Sequence, residues 1–181
     1  DGTYFDSCTV AGAGFVNFTL SKDFYADILL DVKALGKDYG RSNYGEGKRI
    51  NVEFVSANPT GPMHMGNARG GALGDCLAAV LDMAGYEVER EFYINDAGNQ
   101  IEKFGLSLDI RYQQIFKGED AVELPEDSYH GEDIKERAQQ FADVYGDEFI
   151  NKSEDERRKA LVEFALPKNI ENMKANMAKY R

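Results

Sequence analysis

The sequence is poor in the residues that build metal and redox sites. Its 181 residues include two cysteines, Cys8 and Cys76, and two histidines, His64 and His130. The cysteines lack the close spacing of a zinc or thiol-redox motif, and Cys76 falls within an apolar helical pattern. We therefore expect no metal bound by the protein itself. We expect Cys76 to be a buried thiol in a reducing, cytoplasmic compartment, rather than part of a disulfide.

Long apolar runs and excess positive charge are also missing. No run of 18 or more apolar residues is present, so we expect no membrane span, and the N-terminus has neither the basic start nor the apolar core of a signal peptide. The formal net charge of −11 opposes sequence-independent binding to a phosphate backbone. The chain does not begin with methionine, and we expect it to be a piece of a longer protein.

The N-terminal part of the chain predicts a small α+β unit. Residues 3–10 and 14–19 alternate as two short strands, and Ser21 is suited to cap the helical pattern that follows. Gly36 is a plausible stop for that helix. Glycine, asparagine and charged residues then dominate 37–48, which we interpret as a linker.

The middle of the chain predicts a strand, a helix of about 20 residues and a second strand. The strands are expected at 49–55 and 86–94, and the helix at 64–84. This order is typical of a βαβ unit, whose strands are parallel and whose crossover is right-handed. The spacing predicts that the helix buries one face, formed by Met65, Ala72, Leu73, Cys76, Leu77, Val80 and Met83 or Ala84.

The C-terminal part predicts helices after an acidic loop at 118–130. We expect a helix at 131–145, and "SEDE" at 153–156 fits a capping box before a longer helix. Pro167 should kink or interrupt that helix. The predicted domains are therefore 1–44, 45–117 and 118–181.

The turn-rich segment between the strand at 49–55 and its helix is the candidate ligand site. In open α/β sheets, ligands bind beyond the carboxyl ends of strands, where the N–H groups of a helix N-terminus attract phosphate. Gly61 and Gly66 permit a tight turn and a close approach of a ring or phosphate. His64 and Asn67 are three residues apart, so both can donate hydrogen bonds from one side of the helix. Spacing alone is equally compatible with a turn that only caps a structural helix.

Four segments carry a resemblance to a known family. Residues 57–67, "ANPTGPMHMGN", resemble the HIGH signature of class I aminoacyl-tRNA synthetases, and 52–75 resembles the form of that motif in arginyl-tRNA synthetases. Residues 89–101, "EREFYINDAGNQI", resemble the strand and turn that follow it in the same family. Residues 11–21 resemble the end of the family's N-terminal tRNA-contacting domain, and 129–134 also has a counterpart. The similarity runs over most of the chain in the right order.

The resemblance implies an α/β chain that forms part of a Rossmann-like, class I synthetase nucleotide-binding fold. One βαβ unit and C-terminal helices would follow the end of a small α+β N-terminal domain, with 118–181 as a helical insertion or continuation. The implied activity is that of an arginine–tRNA ligase, which uses ATP with Mg²⁺ and L-arginine to form arginyl-adenylate and then charges tRNA(Arg).

The family's second signature, KMSKS, is absent from the sequence. We therefore expect this chain to be inactive alone, and we expect its incomplete sheet to favour self-association. The alternative is a free-standing, non-catalytic module that binds a nucleotide or tRNA. The acidic net charge counts against the tRNA form of that alternative.

His64 and Asn67 match the first and last positions of HIGH. The resemblance implies that they hold the ATP phosphates and stabilise the charge that develops at the α-phosphate. Gly66 would let the adenine lie against the backbone, and Pro62 belongs to the same ATP-binding segment. Residue 67 is Asn where the family usually has His, so it can donate a hydrogen bond but cannot carry a positive charge.

Glu53 and Asn58 match family positions that contact the amino-acid substrate. A carboxylate flanked by apolar residues near the end of a strand is costly to bury without a cation, and arginine brings one. An edge position for Glu53, or a pairing with a Lys or Arg of the chain, is the alternative. Asn58 could instead only shape the turn before Pro59.

A second tier of candidates comprises Gly61, Arg69, Asn95, Asp96 and Gln100. The last three match the family's NDxGxQ stretch, and lining the edge of the pocket is one role open to them. For this stretch, which also includes Gly98, we favour a structural role as an Asx turn and N-cap of the next helix. Arg69 should pair with an acid or reach a phosphate.

Overall fold

The computed structural model describes residues 4–180, which form two compact units. The first extends to Lys48 and includes Leu81–Glu87, and the second comprises Arg49–Val80 and the chain from Val88 onward. Within the described residues, no helix has both the length and the apolar character needed to cross a membrane. The predicted division into three domains stays a prediction.

The first unit begins with an antiparallel hairpin of β1 (Phe5–Ala11) and β2 (Phe15–Leu20), followed by α1 (Lys22–Leu35). The Ser21 side chain accepts a hydrogen bond from an N–H of the first turn of α1, which satisfies one of the unpaired donors there. Gly36 ends the helix with φ at 54°, a left-handed conformation that glycine adopts without strain. The predicted strands, cap and stop are confirmed.

The predicted βαβ order is present. Its elements are β3 (Arg49–Glu53), α2 (Met65–Met83) and β4 (Glu87–Glu91). The N–H of Glu87 donates to the carbonyl of Lys48 at 3.0 Å, and the N–H of Phe54 donates to the carbonyl of Glu91 at 3.1 Å. The starts of the strands therefore pair with each other, as do their ends, so the pairing is parallel.

Three helices form the main hydrophobic core of the second unit. They are α3 (Asn99–Lys117), α4 (Glu132–Tyr145) and α5 (Glu154–Met177). Each contributes residues at helical spacing to one apolar cluster, which includes Phe104, Leu108, Tyr112, Ile134, Ala138, Phe141, Leu161 and Ala165. The core of this unit therefore lies among the helices that follow β4.

The start of α5 agrees with the predicted capping box, whereas Pro167 does not interrupt the helix, and the predicted kink stays a prediction. The Ser153 hydroxyl accepts from the N–H of Glu156, and the Glu156 carboxylate accepts from the N–H of Ser153. The Ser153 hydrogen bonds lower the pKa of Glu156. The helix continues through Pro167, so the predicted interruption is wrong. Pro167 and Glu163, whose carbonyl loses its helical partner, are both exposed, so water can replace the missing bond.

The predicted buried face of α2 is wrong. Leu73, Leu77 and Val80 are 66%, 53% and 65% exposed, and Cys76 is exposed as well. The buried residues are instead the small ones and one carboxylate, namely Gly71, Gly74, Asp75 and Ala78. Close packing explains the reversal, because a Cβ at Gly74 would lie 2.2 Å from Cγ of Phe54.

We expect Gly74→Ala to destabilise the protein by about 1–2 kcal/mol. The new methyl group would overlap Phe54 close to its backbone, which forces β3 and α2 apart and outweighs the gain in helix propensity. Gly70→Ala is the matched control, since nothing lies within 4 Å of its Cβ position, and it should stabilise the helix by up to about 1 kcal/mol. Urea unfolding of both variants measures the two effects. Equal shifts in the same direction would contradict this packing.

Candidate functional site

The segment that leaves β3 has an unusual backbone. Val55 and Ser56 have φ values of 69° and 41°, in the left-handed region that β-branched residues rarely enter. The Ser56 hydroxyl donates to the Glu53 carboxylate at 2.7 Å and accepts from the N–H of Tyr93 at 3.1 Å. Ser56 therefore connects the ends of β3 and β4. Such strain is common at binding sites, where the surrounding structure must hold it in place.

The next turn leads into α2 and contains His64, Gly66 and Asn67. The Asn67 side-chain oxygen accepts from the N–H of His64 at 3.0 Å, and Nδ1 of His64 accepts from the N–H of Gly66 at 3.1 Å. The His64 carbonyl accepts the first helical bond, from Ala68. These bonds direct Nδ1 of His64 and Oδ1 of Asn67 toward the backbone. Nε2 of His64 and the amide NH₂ of Asn67 are then the groups available to a ligand.

Gly66 allows the imidazole to take this position. A Cβ at residue 66 would lie 2.9 Å from Cε1 of His64, which is closer than side chains approach one another. His64 itself is exposed, so the ring is not turned into the hydrophobic interior. The turn therefore presents an imidazole at the positive end of the α2 dipole.

A cavity of about 570 Å³ opens beside this turn. A volume of this size is typical of small-molecule sites. One wall comes from the segment between β3 and α2 and from the first turn of α2, and it includes the predicted residues Asn58, Gly61, Pro62, His64 and Asn67. The opposite wall comes from the segment before α4, the start of α4 and α5, and it includes Tyr129, Gly131, Asp133 and Met173. The structure thus brings five predicted residues together around one space.

The opposite wall is fixed to the first through Tyr129. Its phenol accepts a hydrogen bond from the Thr60 hydroxyl at 3.3 Å and donates to the side-chain oxygen of Gln100. Its N–H donates to the Ser107 hydroxyl at 2.9 Å. Gln100 thus lies outside the cavity lining but holds a residue that forms it. Sequence reasoning missed Tyr129, although it lies in the "YHGEDI" segment that resembled the family.

A buried asparagine supports the wall formed by the segment between β3 and α2. Asn169 of α5 donates to the carbonyl of Pro59 at 3.0 Å, and its side-chain oxygen accepts from Nε of Arg137 at 3.0 Å. It therefore links α4 and α5 to the segment that carries the predicted residues. Sequence reasoning missed it as well. The available signal was its position four residues from both Ala165 and Met173, which places a polar group on the buried face of the helix.

Asp133 is the acidic residue of the cavity. Its Oδ2 lies 3.3 Å from the position that a Cβ at Gly61 would occupy, so the carboxylate closely approaches the wall formed by the segment between β3 and α2. Burial raises the pKa of Asp133, and the nearby charge of Glu136 adds to this effect. The N–H groups of the first turn and Arg137 act in the other direction. Asp133 carries no functional signal in the sequence, since an acid in the first turn of a helix is common on structural grounds alone.

Glu53 differs from expectation. It is exposed at the end of β3 and does not belong to the cavity lining. Of the two interpretations left open by the sequence, burial beside a substrate cation and an edge position, the exposed carboxylate agrees with the second, and the Ser56 hydroxyl donates to it. Its role in binding arginine stays a prediction.

The second-tier residues after β4 and at the start of α2 lie outside the lining too. Asn95 and Asp96 do not cap α3, since Gly98 occupies the cap position with φ at 80° and no side-chain cap bond is made. The predicted stretch therefore does supply the cap residue, Gly98, but the side chains of Asn95 and Asp96 make no cap bond. Arg69 is exposed on α2.

The cavity joins groups suited to opposite charges. The N-terminus of α2, with His64 and Asn67, suits an anion such as phosphate. Asp133 on the opposite wall suits a cation. Among residues 4–180, no group of three or more His, Cys, Asp or Glu side chains is arranged to hold a metal ion. The arrangement can therefore bind a ligand, or a pair of ligands, that carries both charges.

Comparison with known proteins identifies close relatives. A sequence model of the family described as "tRNA synthetases class I (R), catalytic domain" matches residues 30–152. The chain is 58% identical over 180 residues to the arginine–tRNA ligase of Ruminiclostridium cellulolyticum, and 59% identical over 179 residues to that of Caldanaerobacter subterraneus subsp. tengcongensis. Each match covers 99% of this chain and 32% of the relative. The chain thus spans about a third of the length of these curated relatives.

Solved structures agree with this similarity. A crystal structure described as an arginyl-tRNA synthetase from Campylobacter jejuni matches with a TM-score of 0.74 and 34% identity, over 88% of this chain and 34% of that one. The arginyl-tRNA synthetase of Thermus thermophilus matches with a TM-score of 0.56 and 23% identity, over 98% of this chain and 28% of that one. The second match supports the fold alone.

Proposed function

The chain belongs to the family of class I arginyl-tRNA synthetase catalytic domains, and from this premise we propose that it supplies the part of an arginine–tRNA ligase that binds ATP and L-arginine. In the complete protein, ATP and L-arginine would react to form arginyl-adenylate, and the arginine would then pass to tRNA(Arg). A cytoplasmic location belongs to the same proposal. The observation that carries it is the cavity lined on one wall by Asn58, His64 and Asn67.

His64 and Asn67 are proposed to bind the phosphates of ATP. Nε2 of His64, the amide NH₂ of Asn67 and the N–H groups at the start of α2 provide donors for phosphate oxygens. Negative charge on those oxygens shifts when the arginine carboxylate attacks the α-phosphate, and fixed donors stabilise that change without rearranging. Mg²⁺ bound to ATP would neutralise part of the same charge. Asn67 contributes a hydrogen bond only, since a carboxamide carries no charge.

Gly66 and Pro62 are proposed to place the rest of the nucleotide. Gly66 leaves the backbone open where the adenine would lie, and Pro62 stiffens the segment that approaches it. Pro62 lines the cavity, and Gly66 lies beside His64 in the turn.

Asn58 and Glu53 are the proposed contacts to arginine. Asn58 lines the cavity, where its carboxamide can bond to the ammonium or carboxylate of the amino acid. Glu53 stands exposed at the end of β3, and no ion pair involving it occurs within the part of the chain that the structure describes. A substrate cation can therefore approach Glu53 without displacing a charged side chain.

Amino-acid-dependent exchange of pyrophosphate into ATP tests this proposal. The protein would be a chain extended to the length of its relatives, compared with the 181-residue chain. We expect exchange with arginine in the extended chain and none in the short one, because KMSKS is absent from the short sequence. Exchange driven by a different amino acid would contradict the proposed substrate. Exchange by the 181-residue chain would contradict its proposed incompleteness.

A further inference from the structure

The turn that carries His64 is held on both of its sides by α5 and the residues just after it. Before the turn, the Asn169 side chain donates to the carbonyl of Pro59 at 3.0 Å. After the turn, the Tyr180 hydroxyl donates to the carbonyl of Ala68 at 2.9 Å. The two contacts join residues that are 110 and 112 positions apart in the chain. They therefore bracket His64 from one distant part of the molecule.

The contact at Pro59 is buried and has a defined orientation. Asn169 is 7% exposed, and Pro59 is fully buried. Nε of Arg137 donates to the side-chain oxygen of Asn169 at 3.0 Å, so the amide NH₂ is the group that faces Pro59. Without this donor, a carbonyl shielded from water would lose its partner. Asn169 is therefore an oriented link between α4, α5 and the turn.

The contact at Ala68 depends on a glycine of α2. A Cβ at Gly71 would lie 2.6 Å from the Tyr180 hydroxyl oxygen, so a larger residue there would displace the phenol. Ala68 belongs to the first turn of α2, and its N–H donates to the His64 carbonyl at 3.1 Å. The phenol thus fixes the helical turn whose first backbone bond ends at His64.

The turn depends on such restraints. Residues 54–64 form an irregular segment between β3 and α2, and Val55 and Ser56 at its start have left-handed φ values. A backbone of this kind keeps its conformation only when the surrounding structure holds it. The side chains of His64 and Asn67 bond to N–H groups of the turn itself. Any shift of the turn therefore moves both proposed phosphate donors.

We propose that Asn169 and Tyr180 are positioning residues, which hold His64 and Asn67 in place for the reaction at the α-phosphate. This inference rests on the proposed function, because it takes His64 as a donor to ATP. Asn169 and Tyr180 lie outside the lining of the cavity beside His64, so each acts through the turn and not on a substrate. Donors stabilise developing charge only when they are already in place, and a displacement of about 1 Å can lower a rate about 100-fold.

Asn169→Asp in the extended chain tests the contact at Pro59. The substitution keeps the size of the side chain and an acceptor for Arg137, and it replaces the donor with an oxygen that repels the Pro59 carbonyl. We expect kcat for arginine-dependent pyrophosphate exchange to fall about 10-fold, while the KM for arginine changes less than about threefold. Asn172→Asp is the matched control, since it adds the same charge at an exposed position of α5. It should leave kcat unchanged.

Tyr180→Phe tests the contact at Ala68 with the loss of a single oxygen atom. We expect kcat to fall about fivefold, again with little change in the KM for arginine. Tyr44→Phe is the control, because Tyr44 is 80% exposed, and it should leave kcat unchanged. If Asn169→Asp fails to fold, this milder variant still decides the question.

A double-variant cycle separates positioning from a purely structural role. If Asn169 acts through the imidazole, Asn169→Asp should lower kcat less than about threefold when His64 is already Ala, although it costs about 10-fold alone. A purely structural role would lower kcat by the same factor in both backgrounds. Tyr180→Phe should behave in the same way.

Amide hydrogen exchange tests the geometry without any reaction. The N–H groups of His64 and Gly66 bond to the Asn67 and His64 side chains, so their exchange reports on the turn. In both variants, exchange within residues 57–68 should be about 10-fold faster, and exchange within α3 should be unchanged. Equal losses of kcat in both backgrounds, an unchanged kcat, or faster exchange in α3 as well overturns the inference. Absence of arginine-dependent pyrophosphate exchange in the unmodified extended chain would instead refute the proposed function.

Discussion

Asp109→Ala should destabilise the second unit by about 3–5 kcal/mol, because it leaves a buried arginine without its counter-ion. Asp109 and Arg157 are only 1% and 9% exposed. The guanidinium donates twice to the carboxylate, from Nε to Oδ1 at 2.7 Å and from Nη2 to Oδ2 at 3.1 Å. In the unmodified protein the hydrogen bond to Asp109 raises the pKa of Arg157. Even without that bond a guanidinium stays protonated near neutral pH, so Arg157 cannot lose its charge to escape the penalty in the variant.

Equilibrium unfolding in urea measures this effect. Glu163→Ala is a suitable control, since its pair with Lys159 is exposed and 4.0 Å long, and such pairs contribute at most about 1 kcal/mol. The double variant Asp109→Ala with Arg157→Met should recover part of the lost stability, because it also removes the stranded charge. A cost below about 1 kcal/mol for Asp109→Ala alone would show that water reaches Arg157 in the folded state.

Hydrophobic spacing predicted the existence and order of the elements well. The strand, helix and strand expected at 49–55, 64–84 and 86–94 occur as β3, α2 and β4, each shorter than predicted by a few residues at most. Local chemistry predicted several boundaries, such as the caps at Ser21 and Ser153. These features depend on neighbouring residues alone, so the sequence contains the necessary information.

The packing of α2 could not be predicted in the same way. Its apolar stripe suggested a buried face with Leu73 and Leu77, yet Gly74 and Ala78 are the residues that lie inside. Small residues are buried here because an aromatic ring, that of Phe54, comes very close to the helix backbone. Proximity between distant parts of the chain decides this, and periodicity within one helix does not reveal it.

The candidate site also combines features set by neighbouring residues with features set by contacts between distant parts of the chain. The turn from Asn58 to Asn67 is continuous in sequence, so its motif located one wall of the cavity. Asp133 and Asn169 lie 66 and 102 residues beyond Asn67 and reach that wall only after α4 and α5 have packed. Their residue types are ordinary for helix termini and helix faces. Only the fold shows that they meet the turn.

His64→Ala should lower kcat for arginine-dependent pyrophosphate exchange in the extended chain about 10²- to 10³-fold, the usual cost of removing a donor that stabilises developing charge. The loss should be large because Asn67, the other proposed donor, is neutral and cannot compensate for the imidazole. The KM for arginine should change little, since the proposed arginine contacts lie at other positions. Backbone donors at the start of α2 remain in the variant and account for the residual activity.

His130→Ala is the matched control for this experiment. His130 is the other histidine of the sequence, it is exposed, and its Nε2 lies 3.0 Å from the carbonyl of Pro125. It is not part of the cavity lining, so its loss should change kcat less than threefold. If both variants lost activity equally, a general effect on folding would explain the result. If His64→Ala kept its full rate, the imidazole would have no role at the phosphates, and the turn before α2 would serve only to cap the helix.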